Sequence, residues 1–138
     1  MYLLDTNVIS EIRKAPSGKA NRNVIDWASN IPISNLYLSS ISILELETGI
    51  LLKERKDPEQ ASILHVWLKE HVLPSFENRI LAFDTDVAIR CAALHVPDPR
   101  ADRDSFIAAT ALVHGLTVVT RNIKDFIATN VNLLNPWG

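Results

Sequence analysis

The segment over residues 101–126 constrains the fold more than any other part of the chain. Its sequence, ADRDSFIAATALVHGLTVVTRNIKDF, predicts a helix that begins at Asp102 or Arg103 and ends at Gly115. Glycine at that place is typical of a left-handed residue that terminates a helix. The apolar run over residues 116–120 is typical of a short buried strand. A helix rich in small alanines, followed at once by such a strand, predicts an α/β unit in which the helix packs closely on a sheet.

Three acids stand near the ends of predicted strands or at the start of a helix. Asp5 ends an apolar strand over residues 2–4, and open α/β sheets place ligand chemistry at the carboxyl ends of their strands. Asp104 falls in the first turn of its helix, where a negative charge suits the helix dipole. Asp125 follows Asn122 in the polar loop after the later strand. These acids are therefore candidates for one site at a common edge of the sheet.

Glu45 and Glu47 compete to be the fourth acid of that site. Both lie on a predicted helix that ends near residue 53. Positions two apart are about 200° apart around a helix, so the two carboxylates face opposite ways. Only one of them can join Asp5. Gly49 lies one turn after Glu45 on the same side, where we expect it to let the backbone approach a neighbour, and this spacing favours Glu45.

Strands alternate with helices along the chain, which predicts a parallel, three-layer α/β sheet. The predicted strands cover residues 2–4, 36–38, 80–83, 116–120 and 132–134, the last at an edge. The residues expected to cap the intervening helices are Thr6, Ser40 or Ser42, Asp57, and Thr85 or Asp84. The sequence contains no repeat or linker, so we expect a single domain over residues 1–138.

Composition narrows the class of protein. Apolar residues make up 47% of the chain, and no run is long enough to span a membrane. We expect no signal peptide before the first strand. Cys91 is the single cysteine, which favours a reducing, cytoplasmic setting. The net charge of −2 disfavours broad, non-specific binding to nucleic acid, although a local basic path beside an acidic site is compatible with it.

A cluster of carboxylates is a candidate site for binding divalent cations. Clustered acids repel one another unless protons or cations intervene. Hard oxygen ligands suit Mg²⁺ or Mn²⁺, and such ions can deprotonate a water, hold a phosphate and stabilise a leaving oxygen. Each acid also has a structural explanation, since Asp5 can cap a helix, Asp104 can complement a dipole and Asp125 can cap a turn.

Four motifs of the chain resemble those of the PIN-domain ribonucleases, in particular the VapC/FitB-type toxins of bacterial toxin–antitoxin pairs. They are L-D-T-N at residues 4–7, S-x-x-x-x-E-L-x-x-G at 40–49, D-x-x-I-A-A-T-A at 104–111 and H-G-L-T-x-V-T-R-N-x-x-D-F at 114–126. The resemblance covers almost the whole chain. It implies a PIN-like α/β/α fold with a mainly parallel sheet.

The resemblance also implies a site and partners. The implied active-site and metal-binding acids are Asp5, Glu45, Asp104 and Asp125, although Asn122 or Thr120 could serve in place of the last. Groups expected to support the site or to position phosphate are Thr6, Asn7, Thr120, Arg121 and Asn122. The implied reaction is in-line attack of water on an RNA phosphodiester with Mg²⁺ or Mn²⁺ as cofactor. The implied partners are a cognate antitoxin protein and a second copy of the chain.

Two other functions use similar features. A phosphoacceptor signalling domain also holds Mg²⁺ with acids at strand ends, but it requires adjacent acids near the first strand and a late lysine, where this chain has a lone Asp5 and Arg121. A phosphatase of the D-x-D type fails for a similar reason, since Asp5 is followed by Thr6 and Asn7. A non-catalytic PIN fold used only for binding is the third alternative, and the presence of all the acids argues against it.

Overall fold

Five short strands form the central sheet of the protein, which a computed structural model describes over residues 1–138. The strands are β1 (Tyr2–Leu4), β2 (Leu36–Ser39), β3 (Ile80–Leu81), β4 (Thr117–Val119) and β5 (Leu133–Leu134). Their order is β3-β2-β1-β4-β5, and every neighbouring pair is parallel. All carboxyl ends therefore lie at one edge, with β1 in the middle. The predicted α/β class is confirmed, with a sheet that is wholly parallel.

Helices occupy most of the connections between strands. They are α1 (Thr6–Ile12), α2 (Arg22–Ser29), α3 (Ser40–Glu54), α4 (Pro58–Trp67), α5 (Leu73–Ser75), α6 (Thr85–Leu94), α7 (Asp102–His114) and α8 (Ile123–Phe126). A π-helical segment, Leu68–Val72, joins α4 to α5, and short 3₁₀ turns cover Ala15–Ser17, Ile33–Asn35 and Ile127–Thr129. None of the helices is long and apolar enough to cross a membrane.

The central strand is buried on both faces. Leu4 belongs to the hydrophobic cluster that contains Val8 of α1 and Leu46 of α3. Leu3 points the other way, into a cluster with Ile107 and other residues of α7. Successive residues of a strand face opposite sides of a sheet, so helices on both sides exclude water from β1. This is why residues 2–4 form a continuous apolar run.

The segment over residues 101–126 folds as its pattern predicts. Ala108, Ala109 and Ala111 of α7 are fully buried, because their small side chains let the helix approach its neighbours closely. Gly115 ends the helix in the left-handed region, with φ of 68°. The strand that follows is shorter than expected, since the hydrogen-bonded ladder of β4 includes only Thr117–Val119.

The predicted caps Thr6 and Ser40 or Ser42 are each wrong by at least one residue, although Asp5 is also a candidate helix cap in the sequence. Asp5 rather than Thr6 caps α1, and its Oδ1 accepts a hydrogen bond of 2.8 Å from the Thr6 amide. Ser39 rather than a later serine caps α3, accepting from the Ile41 amide at 3.0 Å. In both places the chain passes from strand to helix without a loop, so the last extended residue becomes the cap.

Other local predictions have mixed outcomes. Asp57 and Asp84 cap α4 and α6 as expected. The predicted strand over residues 80–83 is reduced to β3, because only Ile80 and Leu81 pair with β2. The predicted last strand is present as β5, at the other edge of the sheet.

Gly49 does not provide the close backbone approach that its position suggested. A Cβ atom built on this glycine meets no atom within 4 Å outside its own helix. The residue is exposed within α3. Glycine therefore costs helix stability here without a packing benefit in this chain.

The two helix glycines should respond to alanine with opposite signs. Gly49→Ala should stabilise the protein by up to about 1 kcal/mol, because alanine loses less backbone entropy in a helix interior. Gly115→Ala should destabilise it by about 1 kcal/mol or more, because a Cβ atom is strained in the left-handed region. Free energies of unfolding from urea titrations of both variants test this pair. A less stable Gly49→Ala protein would contradict the conclusion that its surroundings are open.

Candidate active site

Asp5 lies at the centre of the carboxyl edge of the sheet and is only 7% exposed. Its backbone amide still donates to the Val119 carbonyl, as the strand ladder requires. Its side chain accepts three hydrogen bonds, from the Thr6 amide at 2.8 Å, the Thr120 hydroxyl at 2.8 Å and the Asn7 side-chain amide at 3.3 Å. The carboxylate is therefore held in one orientation by groups from two adjacent strand ends.

Glu45 reaches the same edge from α3. The Thr6 hydroxyl donates to its Oε1 at 2.7 Å and lies 3.1 Å from the hydroxyl of Ser42. Glu47 points elsewhere, with its Oε1 3.8 Å from His65 Nδ1. The two glutamates lie on different faces of α3, as predicted. Glu45 is on the side of Asp5, since it contacts Thr6, the residue that follows Asp5.

Asp104 occupies the first turn of α7 and is partly buried. Burial, followed by the negative charges of Asp5, Asp125 and Glu45, raises the pKa of Asp104 from 3.8 to about 6. Burial also raises the pKa of Asp5, and Glu45 and Asp125 add to this, although hydrogen bonds from Thr120 and Thr6 oppose it. Glu45 and Asp125 are thus close enough for their charges to act on both Asp5 and Asp104.

A polar cavity of about 470 Å³ brings most of the predicted site residues together. The predicted residues on its wall are Asp5, Thr6, Asn7, Glu45, Asp104, Arg121 and Asn122. We call this space the acidic cavity. Asp125 is not on its wall and acts on it through charge. Thr120 is fully buried behind it, where its hydroxyl donates to Asp5 and accepts from the Asn122 amide at 3.0 Å.

Four further residues line the acidic cavity and were not among the predicted site residues. They are Ser10, Glu11, Lys14 and Trp137. The first three follow Asn7 at the spacing of one helix face, which is a signal that could have found them. Lys14 forms an ion pair of 3.3 Å with Glu11. The carboxylate of Glu11 also accepts a hydrogen bond of 2.7 Å from the Asn21 backbone amide, and this bond is the main cause that lowers the pKa of Glu11. Trp137 follows β5 and has no local pattern that links it to the site.

A histidine fixes the loop that leads into α7. The Arg100 amide donates to His95 Nδ1 at 3.1 Å, which assigns the ring proton to Nε2. His95 Nε2 lies 3.1 Å from the Ser105 hydroxyl, which in turn bonds the backbone carbonyls of Ala101 and Asp102. The ring therefore joins the end of α6 to the first turn of α7, where Asp104 lies.

The donor set suits a hard divalent cation, although the side chains do not form a closed ligand cage. No group of three acidic, histidine or cysteine side chains is arranged to hold one ion by itself. Mg²⁺ commonly binds through one or two carboxylates and completes its shell with waters and substrate phosphates. Carboxylates whose pKa values are raised by burial and by neighbouring negative charges also favour a neutralising cation. The residues present therefore fit such an ion.

These features define a class, a parallel α/β domain with an acidic cavity at the carboxyl edge of its sheet. The chain belongs to the PIN domain family, whose family model matches residues 2–131. The membership agrees with the resemblance seen in the four motifs.

Three relatives show how far the similarity extends. Toxin FitB of Neisseria gonorrhoeae is 41% identical over 99% of both chains. A chain in the crystal structure of FitAcB from that organism superposes with a TM-score of 0.89 at 38% identity, and the match covers 99% of each chain. VapC ribonuclease Y4jK of Sinorhizobium fredii is 37% identical over 99% of this chain and 98% of its own. A toxin–antitoxin complex from Klebsiella pneumoniae contains a chain with a TM-score of 0.67 and 25% identity, covering 99% of this chain and 98% of that one.

The raised pKa of Asp104 predicts a pH-dependent cost to stability in metal-free protein. A carboxyl whose folded-state pKa is raised binds its proton more tightly in the folded state, so stability falls as pH rises from 3.8 through about 6. In EDTA at neutral pH, Asp104→Asn should therefore melt roughly 2–4 °C above the unsubstituted protein, and this gain should vanish near pH 4. Millimolar Mg²⁺ should stabilise the unsubstituted protein more than the variant.

Asp102→Asn is the matched control for this measurement. Asp102 lies in the same first turn but is exposed, so its loss should give no gain in melting temperature. If Asp104→Asn melts below the unsubstituted protein in EDTA at neutral pH, the acids do not repel one another as described.

Proposed function

We propose that this protein is a metal-dependent endoribonuclease that acts as the toxin of a toxin–antitoxin pair. The observation that carries the proposal is the placement of Asp5, Glu45 and Asp104 on the wall of one cavity in a member of the PIN domain family. Two relatives support it by name, one called a toxin and the other a ribonuclease. We treat residues 1–138 as one PIN domain, which stays a prediction.

The acids on the wall of the acidic cavity, Asp5, Glu45 and Asp104, would hold Mg²⁺ or Mn²⁺. Bound there, the ion would lower the pKa of a water and neutralise charge on a phosphodiester. The hydrogen bonds from Thr6 and Thr120 keep Asp5 oriented towards the acidic cavity. Asp125, outside the wall, adds negative charge that favours the cation.

Arg121 is the cation best placed to receive an RNA phosphate. Lys14 is already paired with Glu11, and Arg103 lies 3.8 Å from Glu45. Arg121 lines the acidic cavity and forms no ion pair with any carboxylate. Its planar guanidinium suits the bidentate recognition of phosphate oxygens. Asn7 and Asn122 lie on the same wall and offer neutral polar groups to the RNA backbone.

The proposed protein partner is an antitoxin. A relative of known structure is a chain of a toxin–antitoxin complex, which supports this partner. A second cavity of about 650 Å³, lined mainly by apolar residues that include Ile9, Ile12, Ile25 and Phe76, suits an apolar segment of such a partner. The acidic cavity suits a basic side chain. A homodimer and a cytoplasmic setting stay predictions.

The alternative functions have less support. Membership of the PIN domain family disfavours the phosphoacceptor signalling domain. Asp5 is also nearly buried and accepts three hydrogen bonds, which suits a fixed ligand better than a carboxylate that must be phosphorylated. A non-catalytic binding module is distinguished by assay, because it would not cleave RNA in any metal.

Asp5→Asn should reduce Mg²⁺- or Mn²⁺-dependent cleavage of RNA by about 100-fold or more, since it removes a hard anionic ligand with little change of shape. The measurement is the single-turnover cleavage rate of a mixed RNA pool, with metal and with EDTA. Circular dichroism should show an unchanged fold. Cleavage by Asp5→Asn at the unsubstituted rate would refute the site, and metal-independent cleavage would refute the mechanism.

Glu45→Gln and Glu47→Gln form a matched pair on one helix. Glu45→Gln should lower the cleavage rate by at least about tenfold, because the carboxylate on the acidic cavity loses its charge. Glu47→Gln should change the rate less than about twofold, because its side chain lies beside His65 on another face. The same RNA and metal concentrations serve both variants. Equal losses in the two would contradict the distinction between the helix faces.

A further inference from the structure

Trp137 differs in polarity from the other residues that line the acidic cavity. It is the single hydrophobic residue among those that line it. The guanidinium of Arg121 lies over its ring, with Cζ 5.5 Å from the ring centroid. An aromatic ring in a charged cavity is therefore in contact with the one cation of that cavity that has no carboxylate partner.

The tryptophan is held firmly in this place. Its amide donates to Asn135 Oδ1 at 2.9 Å, and its carbonyl accepts from the Asn23 side chain at 3.0 Å. Its partly buried ring packs against the hydrophobic cluster that contains Leu4 and Val8. A residue whose backbone is fixed by two hydrogen bonds and whose ring is fixed by apolar contacts can restrain a flexible side chain that stacks on it.

Arg121 needs such restraint because the surrounding charges are negative. Its side chain is exposed, and its backbone amide makes one long bond of 3.4 Å to Asn7 Oδ1. Glu11 is near enough for the charge of Arg121 to act on it, and Asp5 and Glu45 line the same wall. Stacking on an aromatic face leaves the N–H groups at the edge of a guanidinium free to donate.

We propose that Trp137 is a positioning residue that holds the Arg121 guanidinium at the rim of the acidic cavity, with its N–H edge free for a phosphate of the RNA strand. The inference rests on the proposed ribonuclease function. Trp137 acts through Arg121 and does not touch the reacting atoms. It therefore contributes to RNA affinity and leaves the chemical step unchanged.

A double-mutant cycle on Arg121 and Trp137 tests the coupling. Trp137→Leu should raise KM for RNA about three- to fivefold with kcat nearly unchanged, as expected for the loss of an exposed cation–π contact. Arg121→Ala should raise KM about tenfold and lower the salt dependence of RNA binding by about one counterion. In the Arg121→Ala background, Trp137→Leu should have no further effect. Arg90→Ala, an exposed arginine on α6 away from both cavities, is the control for general loss of positive charge.

RNA binding is measured separately in the Asp104→Asn background with Mg²⁺, so that affinity is observed without cleavage. Trp137→Phe keeps an aromatic face and packs the same cluster, so it should retain most of the affinity and provides the test if Trp137→Leu does not fold. Equal effects of Trp137 substitutions with and without Arg121 would overturn the inference, as would a change in kcat alone. If the unsubstituted protein cleaves no RNA with either metal, the proposed function fails instead.

Discussion

The acidic cavity depends on the hydrogen bond that Thr120 donates to Asp5. This bond joins the ends of two neighbouring parallel strands, β1 and β4, and it is fully shielded from water on the Thr120 side. Asp5 in turn caps α1, and the first residue of that helix, Thr6, donates to Glu45. Thr120 also accepts from the Asn122 amide and so fixes the loop that carries Arg121. One buried hydroxyl thereby connects groups from three separate parts of the chain.

The fold places negative charges together although their repulsion opposes folding. Burial and neighbouring acids raise the pKa values of Asp5 and Asp104, which means that the ionised forms are disfavoured in the folded protein. The surrounding hydrophobic clusters on both faces of the sheet supply the opposing stabilisation. A site of this kind favours a cation, because the cation would reduce the repulsion between carboxylates that the packed core holds together.

Features with a local cause could be predicted from the sequence, and features with a tertiary cause could not. The buried strands, the left-handed Gly115 and the Asp84 cap follow from short patterns, and the opposition of Glu45 and Glu47 follows from helix geometry. Asp125 lies outside the cavity wall although its motif position suggested otherwise, and a local motif does not fix such a tertiary placement. Trp137 has no local signal at all, since only the fold brings residues after β5 next to α1.

The short strands at the two edges of the sheet affect how this domain can associate with other chains. Each edge strand, β3 and β5, pairs with its neighbour over only two residues. A foreign strand would gain too few hydrogen bonds at either edge to add itself to the sheet, and long exposed edges are the features that promote such pairing. Protection against this form of aggregation is thus built into the lengths of the outer strands. Addition of a partner strand to either edge is consequently a disfavoured way of binding this domain.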